Sequence, residues 1–218
     1  MVPDKRQGKR VRGGGRPAAE ESRDVRGQLI LAARDLFTKH GFAAVSTRQL
    51  AVAAGATPAM IHYYFGDKHG LYRALLEEVI PPVLAGLEAR ETGANSPLTV
   101  ADFMEAYLVM FRDNPWLPPL VFREMQEGAD DFQRHFVERF ATRARQLLKS
   151  ALENDRRQGR VRDGLDSRMA LASVMSLCVF PFLARPMLDK VLGLSVDHDF
   201  VRQWSTYAST LFYRGVQP

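Results

Sequence analysis

The chain has 218 residues, 46% hydrophobic, 10% aromatic and 25% charged, the profile of an ordinary soluble globular protein with length for one large or two modest domains. Its single cysteine, Cys178, excludes an internal disulfide framework and any multi-cysteine metal site, and makes a reducing cytoplasm the expected compartment. Residues 1–80 hold 13 basic and 8 acidic side chains and the remainder 17 of each, so the whole net charge of +5 lies in the first 80 residues. This asymmetry predicts an N-terminal part that meets a polyanion and a neutral C-terminal part with a different task.

In chain order, residues 1–23 carry seven basic residues, Arg10, Arg12 and Arg16 among them, against three acidic ones, with little to bury; a disordered basic arm is expected. The N-terminus is basic but lacks the apolar core of a secretory signal. From Val25, Leu29, Ile30, Ala33 and Phe37 recur at helical spacing as far as His40, and Gly41 is a stop. Two short helices are expected over about 47–54 and 58–64, with Ser46 and Thr57 as N-caps, Pro58 in a first helical position, and Gly55 making the turn between them. A fourth helix begins near Asp67 and meets Pro81-Pro82, which should kink or end it; its periodicity resumes to about Arg90. Ser96 is placed to cap the next helix, with Pro97 first in it, ending at Asn114-Pro115.

A proline-rich elbow over 115–119 leads to a short helix ending near Gly128. A long amphipathic helix follows, with Phe132, Phe136, Phe140, Leu147, Leu148 and Leu152 on one side and a solvated, arginine-rich opposite side. Helices over about 167–184 and 197–213 complete the chain. Met169–Ala184 is the longest apolar stretch; it is shorter than the roughly 20 residues of a bilayer span and contains Pro181, so burial between helices is expected and no membrane partner. No segment reads as a strand. The expectation is an all-α protein of about nine helices: a three-helix helix-turn-helix unit over 24–84 and a larger helical bundle over 85–218.

The segment from Gly41 to Leu71 carries the functional signal. Small Ala51 and Ala54 allow close helix approach, Leu50 and Ile61 fill the space against the first helix, and Phe65 plugs the base. Gly55 turns the chain so that the second short helix projects as a reading head for a major groove. Lys68 adds a cation at a helix N-terminus, a combination suited to phosphate.

This segment resembles the DNA-binding domain of the TetR/AcrR family of one-component transcriptional repressors. The matching residues are Gly41-Phe42, Ser46-Thr47, Leu50-Ala51, Ala54-Gly55, Thr57, Tyr63-Tyr64-Phe65, Asp67-Lys68 and Leu71, within about residues 24–84; beyond them only the layout is similar. The resemblance implies that Thr47, Tyr64 and Lys68 contact DNA phosphates and that Thr57, Pro58, Ala59, His62 and Tyr63 face the groove. Ala59 and His62 depart from the family's usual glycine or polar residue and tyrosine, so the operator sequence does not transfer from relatives. His62 is either a reader of a base edge or a polar residue exposed on a short helix. Gly15-Arg16-Pro17 resembles the core of an AT-hook; the alternative is an unspecific cationic tail drawn to phosphates.

Large apolar side chains are dense around the proline-rich elbow: Phe103, Met104, Tyr107, Met110, Phe111, Trp116, Phe122 and Met125. Each alone is an ordinary core residue. Together they form a candidate pocket for a small hydrophobic effector, aromatic or acyl, with Tyr107 or Trp116 giving polar contacts. By resemblance, helices 167–184 and 197–213 form a homodimer interface that places two reading heads on successive major grooves, about 34–36 Å apart. Pro81-Pro82 is either a packing bend or a hinge between the domains. No cofactor and no catalytic motif is read: Cys178 lies in an apolar helix without an adjacent base, and Asp131 with His135 reads as a surface pair more readily than a two-ligand metal site. The reading is a repressor that binds a palindromic double-stranded DNA operator; the alternative is a ligand-independent DNA-binding protein controlled by protein partners.

Overall fold

A computed structural model describes residues 18–93, 97–127 and 130–218. The arm residues Arg10, Arg12 and Arg16, the AT-hook-like Gly15-Arg16-Pro17 and the expected cap Ser96 lie outside the described residues. Helix α1 spans Ala18–His40, starting six residues before the expected boundary at 24. Leu29, Ile30, Ala33 and Phe37 are buried along one of its faces, and Gly41 ends it with φ +82°, a conformation that a side chain rarely tolerates.

Helix α2, Thr47–Ala53, is opened by a capping box: the Ser46 hydroxyl accepts from the Gln49 amide at 3.2 Å and the Gln49 side chain accepts from the Ser46 amide at 2.8 Å. Gly55, at φ +62°, turns the chain into α3, Pro58–Phe65. Leu50 and Ile61 are fully enclosed between these helices and α1, as their spacing predicts. Phe65 is half-buried and packs beneath the Arg26 guanidinium, 5.4 Å from its ring centroid.

Helix α4, Lys68–Thr92, passes through Pro81 and Pro82 without ending. The missing donors fall where Pro82 is exposed, while Ile80, Leu84 and Leu87 keep the buried stripe continuous. The domain boundary expected at 84 therefore falls inside a helix that both parts share.

Helix α5, Val100–Asp113, starts three residues later than expected, capped by Thr99 with Asp102 rather than opened by Pro97. Its first turn is tied down by Asp155, whose buried carboxylate accepts from the Val100 amide at 3.0 Å, the Tyr213 hydroxyl at 2.6 Å and the Arg160 guanidinium. That arrangement places a negative charge at a positive helix end. Helix α6 spans Leu117–Glu127 and α7 Asp130–Phe136; a π-helical segment, Val137–Ala141, runs directly into α8, Thr142–Arg157. The Thr142 hydroxyl donates to the Val137 carbonyl five residues back, at 2.9 Å, inside this wider turn.

Helix α9, Ser167–Leu183, packs on α5 and α8, and α11, His198–Val216, packs on α5; the two are joined by the Trp204 indole, which donates to the Leu177 carbonyl at 2.9 Å. Between them lies α10, Arg185–Leu192, a helix absent from the sequence-based expectation. Its local signals are Pro186 in its first turn and Gly193 at φ +64° after its end, but its exposed Met187, Val191 and Leu192 blur the helical periodicity. Counting the run from α7 to α8 as one rod, the described residues form ten helices and no strand.

Candidate nucleic-acid interface and ligand chamber

The exposed side of α3 carries Thr57, Pro58, Ala59, His62 and Tyr63, while Met60 and Ile61 turn inward. All five expected groove-facing residues are therefore exposed. Thr57 occupies the N-cap position with its hydroxyl unused in capping. The His62 Nδ1 lies 2.8 Å from the Gly66 carbonyl, which can only accept, so this nitrogen carries the proton. In the neutral ring Nε2 is then an acceptor at the surface, fitted to an amino group on a base edge. The side chain thus braces the turn at Gly66, where α3 ends, and leaves Nε2 at the surface. Tyr63 is 80% exposed and is held edge-on to Tyr64 at 4.9 Å between ring centroids; Tyr64 is half-buried. Thr47 is half-buried at the start of α2 beside exposed Arg48, a cation the motif does not single out.

Lys68, at the start of α4 as expected, is already engaged within the protein. Its ammonium donates to the Phe42 and Val45 carbonyls, both at 2.9 Å, and sits 4.1 Å from the centre of the Phe42 ring. Two of its three donors tie α4 to the loop before α2, which leaves one for a phosphate. Its pKa is lowered from the usual lysine value, chiefly because burial penalises the charged form, an effect that the Glu124 carboxylate partly offsets.

The same loop is gripped from the other domain. Glu124 of α6, 5% exposed, accepts from the Phe42 amide at 3.1 Å. The Arg123 guanidinium lies so close over Gly41 that a Cβ there would meet it at 3.1 Å. Phe42 also contacts the rings of Phe37, His69 and Tyr72, and Tyr72 contacts Phe132 of α7 edge-on at 5.0 Å. Glu124 and Arg123 carry no local signature that would single them out, because their partners lie some 82 residues away in the chain.

The opposite side of α6 faces an open-mouthed chamber of about 960 Å³ lined by α4, α5, α6, α8 and α9. Of the expected pocket residues, Tyr107, Met110, Phe111, Phe122 and Met125 line it. Phe103, Met104 and Trp116 do not: Phe103, stacked on Tyr107 at 4.3 Å, and Met104 are fully buried in the core, and Trp116 is half-buried against it. Trp116 therefore gives no polar contact there. The Tyr107 phenol is pushed up well above its usual pKa by burial. The π-helical segment supplies Phe140 and Ala141 to the wall.

The polar lining comes from Arg145, Lys149 and Glu153 of α8, on the side that the amphipathic pattern assigns to solvent, and from Ser167 and Arg168 at the start of α9. The signal available was their spacing, since 145, 149 and 153 follow one another at four-residue steps beside Ala144 and Leu148. Asp131 pairs with Arg134 at 3.7 Å, and no group of three or more metal-ligating side chains occurs among the described residues. Burial raises the Cys178 thiol to about 12, which keeps it protonated and unreactive at neutral pH. No single helix among the described residues is long and apolar enough to cross a membrane; α9 and α10 together reach the length only as a pair bent by 72°.

The sequence pattern described as "Bacterial regulatory proteins, tetR family" matches residues 29–75, and that of the "Tetracyclin repressor-like, C-terminal domain" matches residues 99–204. The HTH-type transcriptional repressor NicS of Pseudomonas putida is 25% identical over 208 residues, covering 91% of this chain and 95% of its own length. The HTH-type transcriptional regulator RutR of Escherichia coli is 31% identical over 101 residues, 46% of this chain and 48% of its own. Among solved structures, FadR from Bacillus subtilis in complex with stearoyl-CoA aligns with TM-score 0.68 at 18% identity, covering 88% of this chain and 99% of its own. NalD, the secondary repressor of MexAB-OprM in Pseudomonas aeruginosa, aligns with TM-score 0.67 at 20% identity, over 90% and 98%. These two share the fold.

Proposed function

This chain belongs to the tetR family of bacterial regulatory proteins, a family of DNA-binding regulators rather than enzymes, and on that premise we propose that it is a cytoplasmic repressor. It binds a palindromic operator as a homodimer and lets go when a small apolar ligand enters the chamber. The observation that carries this reading is the two-sided placement of α6. Leu117, Pro118, Val121, Phe122 and Met125 face the chamber, while Arg123 and Glu124 hold the loop from which α2 and the reading helix start. A ligand that displaces α6 therefore acts on the loop that orients α3, and the coupling needs no longer path. This arrangement favours a ligand-responsive regulator over one controlled by protein partners alone. Ile80, the residue before Pro81-Pro82, also lines the chamber, so α4 is a second route from ligand to reading head and the proline pair its hinge.

In this reading the dimer forms through α9 and α11. Met169, Ala172, Ser173, Ser176 and Phe180 make an exposed stripe along α9, and Tyr207, Thr210 and Leu211 one along α11. Small and large apolar residues in such a stripe suit a close two-fold helix packing. Residues 24–84 supply groove and phosphate contacts through Thr47, Thr57, Pro58, Ala59, His62, Tyr63 and Tyr64, with Lys68 bracing the loop before α2 and the arm's Arg10, Arg12 and Arg16 adding charge. Residues 85–218 hold ligand and partner.

The test combines sedimentation, a footprint on the DNA upstream of the protein's own gene, and titration with Nile red, a neutral apolar dye. A dimer at micromolar concentration, a two-fold symmetric footprint, and weaker operator binding once the dye has entered the chamber are expected. A Leu171→Trp variant should exclude the dye. A monomer, or operator affinity unmoved by saturating dye, would overturn the reading.

A further inference from the structure

We propose that the chamber is built for an anionic amphiphile: an acyl tail lies inside and a negatively charged headgroup is held at the rim by Arg145 and Lys149. The proposal rests on the ligand-responsive reading above and names the chemical class of that ligand.

The chamber is graded from end to end. Tyr107, Met110 and Phe111 at its floor are 5–6% exposed, whereas Arg145 and Lys149 are exposed side chains that still belong to its wall. The exposed rim also holds apolar Phe122 and Met125, so a chain in the apolar part can lay its polar end against these two cations. The size, about 960 Å³, lies at the top of the usual range of roughly 300–1,000 Å³ for ligand sites, so it suits a long tail.

Not every charge at the rim is available. Glu153 is paired with Arg156 at 2.6 Å and Arg168 with Asp166 at 3.3 Å. Each of those pairs is close to neutral. Arg145 and Lys149 make no ion pair with any described residue and stand one helical turn apart, where like charges repel. An anion between them removes that repulsion and is attracted by both. The remaining polar group of the lining, Ser167, can donate a hydrogen bond to the same headgroup. A neutral apolar ligand would fill the chamber equally well but leave both cations unanswered, so the cations select among ligands that the apolar wall alone accepts. The anion can be a carboxylate, as in a free fatty acid, or a phosphate group carried beyond a thioester; both share the acyl tail and the negative end.

The experiment measures binding of palmitate, hexadecanol and palmitoyl-coenzyme A to the full-length protein and to the Arg145→Gln/Lys149→Gln variant, with Nile red as a control. Palmitate should bind more tightly than hexadecanol, and its affinity should fall as salt is raised while that of hexadecanol does not. The double variant should lose about 30- to 100-fold in affinity for the anionic ligands, at about tenfold or less per charged hydrogen bond, and keep its affinity for hexadecanol and Nile red. A preference of tenfold or more for palmitoyl-coenzyme A assigns the phosphate source, and the reverse preference assigns the carboxylate. Equal binding of palmitate and hexadecanol, or anion affinity unchanged in the double variant, overturns the proposal while leaving an apolar chamber intact. Failure of Nile red and every amphiphile to bind would instead remove the ligand-responsive reading beneath it.

Discussion

Replacing Lys68 by methionine separates a structural from a DNA-contacting role for this residue. The side chain donates two charged hydrogen bonds to the Phe42 and Val45 carbonyls at 2.9 Å and stands 4.1 Å from the Phe42 ring centre. Hydrogen bonds to charged groups contribute about 1.5–3 kcal/mol each and a cation over an aromatic ring about 0.5–1 kcal/mol at exposed sites. Lys68 is half-buried, so the two carbonyls recover part of this by turning to water, and a net loss of about 2–3 kcal/mol follows. For a chain of this length that lowers Tm by about 4–12 °C. The companion assay is operator affinity as a function of salt, whose logarithmic slope falls by about 0.9 for each phosphate contact removed, hence by about two for a dimer. A large drop in Tm with a slope altered by less than one unit is the expected pair of results. A Tm within a degree of the parent protein, with the slope reduced by about two, would refute the assignment of Lys68 to the loop.

Asp155→Ala should cost about 3–5 kcal/mol in denaturant unfolding, because it leaves the Val100 amide, the Tyr213 hydroxyl and the Arg160 guanidinium without their shared acceptor; a loss under 1 kcal/mol would show that α5 does not depend on it. Glu124→Ala should reduce the effect of Nile red on operator affinity by about tenfold, equivalent to about 1.4 kcal/mol of coupling. An unreduced effect in that variant, together with its loss on replacing Pro81 and Pro82 by alanine, would move the signal from α6 to α4.

The reading helix was legible in the sequence because its information is local. Pro58 starts it, Gly55 turns the chain into it, and Leu50 and Ile61 are apolar at positions that can only point inward. The apolar stripe of α4 is legible for the same reason, although its prolines do not end it. Contacts between segments were not. Lys68 at a helix N-terminus has the same local appearance whether it meets a phosphate or two carbonyls more than 20 residues away. Glu124 looks like any polar residue on a short amphipathic helix until Phe42 is brought to it. Arg145 and Lys149 fall on the side that reads as solvated, because helical periodicity separates an apolar from a polar side but does not record that a neighbouring helix walls off part of the boundary. Phe103 shows the converse: an aromatic residue among pocket-lining neighbours, it points into the core instead.

The loop from Gly41 to Ser46 is held from two directions, and this sets what a ligand must supply. Lys68 fixes two of its carbonyls to α4 and Glu124 fixes one of its amides to α6, while Ser46 at its end caps α2. Displacing either helix alone strains one anchor against the other, so the loop favours two arrangements over a continuum. Moving such an equilibrium from 1:99 to 99:1 requires about 5.5 kcal/mol of difference in ligand affinity between the two states. At about 0.8 kcal/mol for each buried methylene, about seven methylene groups that touch α6 or α4 only in the released arrangement are enough. A shorter tail leaves the balance near its starting point even when it binds. The chamber should therefore show a threshold of chain length for release of DNA that is longer than the threshold for binding, and an acyl series titrated in both assays resolves the two; coincident thresholds would mean that the ligand binds both arrangements by contacts unrelated to these helices.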